Sequence, residues 1–262
     1  MEESASIEAI LEKAKAGDAE AQNDLGRHLA ESGSRAEAEQ WLRRAAEQGL
    51  AKAKHNLGVL YWHGDGDPQE AVAWFRAAAK AGWLPSIFVL GAMVERGGNI
   101  DNAIGLYRIA AQGGHADAQD ALSRLHFDRE TDKDDEIARN WAEAAAKQGV
   151  AAAITRLATI YHEGRGTPRD PKRAAAYFLE AANLGHAGAQ LMIGVALHIG
   201  IGIPANRIEA AHWLLRSATQ GNELAQAYLE AKAGMADLSK QELEEAQQRA
   251  RQPLPWTKPA AI

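Results

Sequence analysis

Two short stretches carry residue types whose spacing could support chemistry. The segment HEGRGTPRD, residues 162–170, opens with a His-Glu pair like that of a zinc-protease helix, then a Gly-x-Gly with arginines like a phosphate cradle. A zinc helix needs a second histidine four residues after His162, but that position is Gly166. A phosphate loop follows a strand and needs a lysine beside a hydroxyl, and neither fits here. The second stretch, HFDRETDKDDE (residues 126–136), places six acids between Asp128 and Glu136. Asp132, Asp134 and Glu136 alternate as calcium ligands do, and Glu143 falls at the twelfth position. The sixth position, where a calcium-binding loop needs glycine for its sharp turn, is Ile137. The acidic loop therefore reads as a solvated surface or an electrostatic contact. The nine histidines form no recurring i, i+4 pair, and there is no cysteine. The expectation is no catalytic residue, no metal and no cofactor.

Whether the Gly-x-Gly is a site or a turn depends on whether it recurs. Glycines at 17, 49, 82, 114, 149, 185 and 221 set a period of 32 to 36 residues, as expected of paired helices. Eight residues after each stand Leu25, Leu57, Leu90, Leu122, Leu157, Ile193 and Leu229, each followed by a small residue except at the last. Fifteen residues before each of the last six glycines stand Ser34, Asp67, Asn99, Asp134, Asp170 and Asn206, all N-cap types. Pro68 and Pro171 follow two of them at the first helical position. Alanine lies four residues past each cap, and Trp41, Trp74, Leu106, Trp141, Tyr177 and Trp213 lie three further on. A small pair then leads to the closing glycine, placed for a left-handed C-cap. Each unit is therefore helix A, a loop, helix B and a glycine turn, with the aromatic stripe of helix B expected in the core. Gly64, Gly164 and Gly200 fall at one phase, after helix A and before the helix B cap. HEGRG reads as a turn.

The order A-x-A-Q-x-x-L-G-x-x-Y, G-x-G, D-x-x-K/R-A-x-x-W/Y, A-A-x-x-G resembles the Sel-one-like repeat (SLR), a relative of the tetratricopeptide repeat. It is fullest from Ala151 to Gly185, with Tyr161, Asp170, Arg173, Ala174 and Tyr177 in place. The resemblance implies an all-α fold, a right-handed α-solenoid of about six helix-turn-helix units with terminal capping helices. It implies a protein that holds other proteins: a degradation adaptor, a regulator of surface polysaccharide or signalling, a virulence-related protein, or an immunity protein against a secreted toxin. A β-lactamase activity claimed for a cysteine-stapled branch is not carried over, because cysteine is missing.

The expected organisation is one solenoid over residues 1–251. A capping helix spans 5–16, six repeats span 17–221, and a half-repeat with a second capping helix spans 222–251. A Pro-rich tail covers 252–262. Ser239 to Glu242 is an S-x-x-E capping box that opens the last helix. The net charge of −6 with mixed signs argues against a nucleic-acid partner. The longest nearly apolar run, Leu191 to Ile203, is too short to span a bilayer. The amino terminus lacks the pattern of a secretory signal, so a cytoplasmic location is the default, and a mature exported form would read alike. A monomer is favoured.

Helix A positions three, seven, ten and fourteen after the glycine share a face that, by analogy with tetratricopeptide repeats, lines a concave groove. The candidate partner-binding residues there are Asn56, Val89, Arg124, Arg156, Thr159, Met192, Val195, Ile199 and Tyr228. Val89, Met192, Val195, Ile199 and Tyr228 are apolar where a solvated face would be polar. Either the carboxyl-terminal segment covers them or they bind a partner. Trp62, Trp83 and Trp256 lie off the stripe and are further interface candidates. The expected function is a non-enzymatic scaffold that takes a protein or peptide ligand. The alternative is an immunity protein using the acidic loop, and a cell-wall-related enzyme ranks last.

Overall fold

A computed structural model describes residues 2–63, 66–129, 131–231 and 238–254. These contain fifteen α-helices and, among the described residues, no strand. Seven are first helices of a unit: α2 (Ala19–Glu31), α4 (Ala51–Trp62), α6 (Leu84–Arg96), α8 (Ala116–Phe127), α10 (Ala151–Glu163), α12 (Ala187–Ile199) and α14 (Glu223–Glu230). Six are second helices: α3 (Arg35–Glu47), α5 (Pro68–Lys80), α7 (Ile100–Gln112), α9 (Asp132–Ala146), α11 (Pro171–Asn183) and α13 (Arg207–Thr219). The set is completed by α1 (Glu2–Lys15) and α15 (Lys240–Arg251). The chain divides into two compact units, residues 1–118 and 119–262. In each, a helix A packs on its own helix B, as in α2 on α3 or α12 on α13, and the helix B packs on the next helix A.

Local chemistry explains the element boundaries. All seven turn glycines have positive φ, between 81° and 97°, which an L side chain resists. At the second of them Gly49 N–H donates to Ala46 O and Leu50 N–H to Ala45 O, closing the orphan carbonyls of α3. Asp67, Asn99, Asp170 and Asn206 each accept a first-turn backbone N–H through the side chain. Ser34 holds the cap position but makes no such side-chain bond. In the fourth repeat the expectation of an Asp134 cap is corrected. The cap is Thr131, whose hydroxyl accepts the Asp134 N–H, so α9 begins three residues earlier. Acids at Asp132, Asp134 and Asp135 then sit in the first turn, where the helix dipole favours them.

The core is a series of small-against-large contacts. A Cβ on Gly26 would lie 2.7 Å from Leu42, one on Gly58 2.7 Å from Phe75, one on Gly91 2.8 Å from Tyr107, and one on Gly194 2.8 Å from Leu214. Helix A thus gives up its side chain so that a large residue of helix B can enter. In the fourth repeat both sides are small: α8 carries Ser123, which donates to Ala138 O, and the corresponding α9 residue is Ala142.

These contacts also correct the expected stripe. The large residue that fills the core lies eight positions past the cap, not seven. Leu42, Phe75, Tyr107, Phe178 and Leu214 are fully buried, whereas Trp41, Trp74, Trp141 and Tyr177 are only half-buried. Among the described tryptophans, Trp213 alone is in the core. Spacings of four, four and three past the cap fit one helical stripe as well as four, three and four do. Which of them faces inward is decided by the small residue on the opposing helix, glycine in four repeats and Ala158 in the fifth.

At the far end α15 packs along α13, burying Ala246 and joining Arg249 to Glu209. Its start is the expected box, with Ser239 and Glu242 capping each other reciprocally. No described helix is long and apolar enough to cross a membrane.

Candidate functional site

HEGRG takes a structural role. Gly164 and Gly200 are left-handed C-caps of α10 and α12, with φ of 80° and 74°; Gly64 lies outside the described residues. The second glycine of each pair permits close approach. A Cβ on Gly202 would lie 1.9 Å from Pro171 O, and one on Gly166 would lie 3.1 Å from Asp135. Arg165, between Gly164 and Gly166, clamps the preceding loop. Its guanidinium donates to the buried Asp135 carboxylate at 2.5 Å and 2.9 Å and to Phe127 O at 2.6 Å, and it stacks 3.7 Å over the Phe127 ring.

The acidic loop is therefore partly committed internally. Asp135 faces Arg165, and Asp134 bonds Thr131 and sits 2.6 Å from His126 Nδ1. The Thr131 hydrogen bond, then His126, holds the Asp134 carboxyl below its ordinary range. Asp128, Asp132 and Glu136 remain exposed. Among the described residues no three His, Asp or Glu side chains converge as metal ligands would.

The helix A face is less uniform than its spacing implies. Asn56 donates to the buried Asn23 at 2.7 Å, tying α4 to α2. Arg156 on α10 pairs with Asp120 on α8 at 2.6 Å, both largely buried. Thr159 donates to Thr155 O within its own helix. The Tyr228 hydroxyl is 2.7 Å from His198 Nδ1, joining α14 to α12. Arg124 reaches Asp128 at 4.0 Å. These five side chains make internal contacts, four of them to another residue's side chain. Val89 is half-buried on α6.

Met192, Val195 and Ile199 are brought together. They form one wall of an apolar pocket of about 230 Å³, opposed by Ala174, Ala175 and Phe178 of α11. Ile201, from the loop after α12, completes it beside His162 and Arg169. Ile199 is 54% exposed and Ile201 38%, large apolar surfaces left in water. No residue of α15 lines this pocket. In the amino-terminal unit, Arg27, Arg35, Asn56, Val59 and His63 line a wider cleft of about 470 Å³. Trp62, at the mouth of another surface hollow, is 40% exposed, and Trp83 caps α6 through its backbone. Trp256 lies outside the described residues.

Sequence reasoning missed several partners. His115 and His186, each directly after a turn glycine, cap α8 and α12 by accepting a backbone N–H at Nδ1. Burial lowers both imidazoles' affinity for a proton, which keeps that nitrogen free to accept. Gln22, Gln119 and Gln190, five residues after their glycines, each accept from the glutamine that precedes the next glycine: Gln48, Gln148 and Gln220. Gln22 and Gln190 also donate to the turn carbonyls Ala14 O and Ala182 O. The recurrence of both glutamines in phase was the available signal.

The described helices, most of them arranged as repeated A–B hairpins with a glycine turn and an interlocking core, define a helical-repeat solenoid. Residues 19–50, 51–83, 87–115, 116–150, 151–186 and 187–222 each match the Sel1 repeat, and the chain belongs to that family. A protective antigen of uropathogenic Escherichia coli strains with an SLR fold is similar at a TM-score of 0.83 and 24% identity, over 94% of this chain and 55% of its own. A Sel1 repeat protein from Oxalobacter formigenes is similar at a TM-score of 0.73 and 27% identity, over 88% of this chain and 97% of its own. An uncharacterized protein of Neisseria meningitidis serogroup B is 33% identical over 108 residues, 40% of this chain. This chain spans only 23% of that relative's length. Proteins of this family are commonly interaction scaffolds and generally non-catalytic.

Proposed function

We infer that this protein is a non-enzymatic scaffold that binds a protein or extended peptide on the helix A face of its last two repeats. The observation that carries the reading is the apolar pocket of Met192, Val195, Ile199 and Ile201, with Ile199 and Ile201 left in water. A core would have buried them and a purely solvated face would have replaced them with polar residues. The carboxyl-terminal helix lies along α13 and supplies no wall of the pocket, so its packing gives those residues no cover. A branched or aromatic side chain of a ligand fits the pocket, with Arg169 at its rim for a neighbouring carboxylate.

The test is a pull-down from source-cell lysate with the wild-type chain and an Ile199→Asp/Ile201→Asp variant. Both positions are exposed, so circular dichroism should show unchanged helicity. A partner recovered by the wild type and lost by the variant is expected. A partner recovered equally by both baits would move the binding site away from this pocket.

A further inference from the structure

Between α9 and α11, both packed on α10, lies a hollow of about 370 Å³ that shares no lining residue with the helix A pocket. Glu143 and Lys147, one turn apart on α9, line one side. Arg173, Tyr177 and Glu180 of α11 line the other, at spacings of four and three that put them on one helical face. Ala146 and the buried Leu157 of α10 supply apolar surface. Arg173 is held in place: its guanidinium lies 4.4 Å over the Tyr161 ring, which stacks on Tyr177 at 5.8 Å. Burial, then Tyr161, raises the Tyr177 phenol above its ordinary range; Arg173 opposes this, and Glu143 and Glu180 add to it. All three charges thus lie within electrostatic reach of that hydroxyl. Among the described residues, none of Glu143, Lys147, Arg173 and Glu180 forms an ion pair, and the Tyr177 hydroxyl has no hydrogen-bond partner. The repeat frame does not impose these charges. Counted from the closing glycine, Glu143 stands where the three preceding repeats have Arg43, Arg76 and Arg108. Arg173 stands where three others have Glu37, Glu70 and Glu209, and no other repeat has an acid at the Glu180 position.

We propose that this hollow binds a small zwitterion of dipeptide size, its ammonium held by Glu143 and Glu180 and its carboxylate by Arg173 and Lys147, with Tyr177 as a neutral hydrogen-bond partner. Two charges of each sign match a ligand that carries both, whereas a purely anionic or cationic ligand would meet two like charges. The volume is near the lower end of the roughly 300–1,000 Å³ typical of small-molecule sites, which suits a small free molecule. Arg173, preset by its aromatic stack, offers a planar fork for the carboxylate. Leu157 and Ala146 give an apolar side chain of the ligand a surface beside those charges. The site takes a small molecule on residues that the helix A pocket does not use, so it stands independently of the function proposed above.

The test titrates the isotope-labelled full-length protein with glycyl-leucine and follows its backbone amide resonances. Saturable shifts in α9 and α11 are expected. N-acetylglycyl-leucine lacks the ammonium and glycyl-leucinamide lacks the carboxylate, so each should bind about tenfold more weakly. In a Glu143→Gln/Glu180→Gln variant the ranking should change, the acetylated form then binding as well as glycyl-leucine. Both substitutions keep the side-chain shape and break no ion pair, so circular dichroism melts should coincide with the parent's. No saturable shift with glycyl-leucine overturns the proposal. So do equal affinities for the three compounds, or saturable shifts confined to α12. Tighter binding of the doubly blocked N-acetylglycyl-leucinamide would assign the hollow to an internal peptide segment and overturn it as well.

Discussion

Arg165 shows how one side chain can look functional and be structural. It enters as part of a glycine-rich fragment and ends in a buried pair with Asp135, held also by the Phe127 carbonyl and ring. Two charges taken from water gain little net stability together, but removing one strands the other. Arg165→Ala should therefore destabilise the carboxyl-terminal unit by about 3 kcal/mol, measured by urea unfolding. Arg165→Ala with Asp135→Asn should recover part of that loss. A single variant as stable as the parent would show the pair is not held in solution. The same internal accounting applies to His55, which burial, with His115 nearby, pushes down to about 4. Its imidazole stays neutral and is 2.9 Å from Ser86 Oγ.

At the scale of the element, the decisive feature is the pairing of a small helix A residue, a glycine or, in the fifth repeat, Ala158, with the helix B residue eight past the cap. Phe75 and Phe178 occupy that position and are fully buried, while Trp141, at the seventh, is half in solvent. Phe178→Ala should cost about 3–5 kcal/mol and Trp141→Ala clearly less, read from thermal melts of the two variants. Equal losses would mean that the aromatic stripe carries the packing after all. The frame itself was legible: turn glycines, four of the helix B caps and the Ser239 box follow from the sequence, because each depends on contacts within one turn of chain. The Thr131 cap was not, since Asp134 satisfies the same spacing and only its contacts with Thr131 and His126 show where its carboxylate goes.

On the scale of the whole molecule, terminal repeats have one unsatisfied face and need a cover. Here α15 buries Ala246 against α13 and links Arg249 to Glu209. A chain ending at Gly234 should lose amide-exchange protection in α13 and α14 while α10 and α11 keep theirs. Undiminished protection in α13 would show that α15 contributes no cover. The candidate site is also a property of this scale. Met192, Val195 and Ile199 were visible in the sequence as apolar residues where a solvated face would be polar, but Asn56, Arg156 and Tyr228 on the same face tie neighbouring helices together.

The sequence by itself determined the repeat, the all-helical fold and the family, because period, caps and glycine turns are local and recur in phase. Tertiary structure alone decided which side of each helix B faces inward, since positions seven and eight differ by only about 100° on a helix of 3.6 residues per turn. It alone decided which polar residues of the helix A face were spent on neighbours. The pocket's last wall, Ile201, and its rim, Arg169, come from loops whose course no periodicity encodes. Local spacing fixes where elements begin and end; what a side chain meets depends on the helix packed against it.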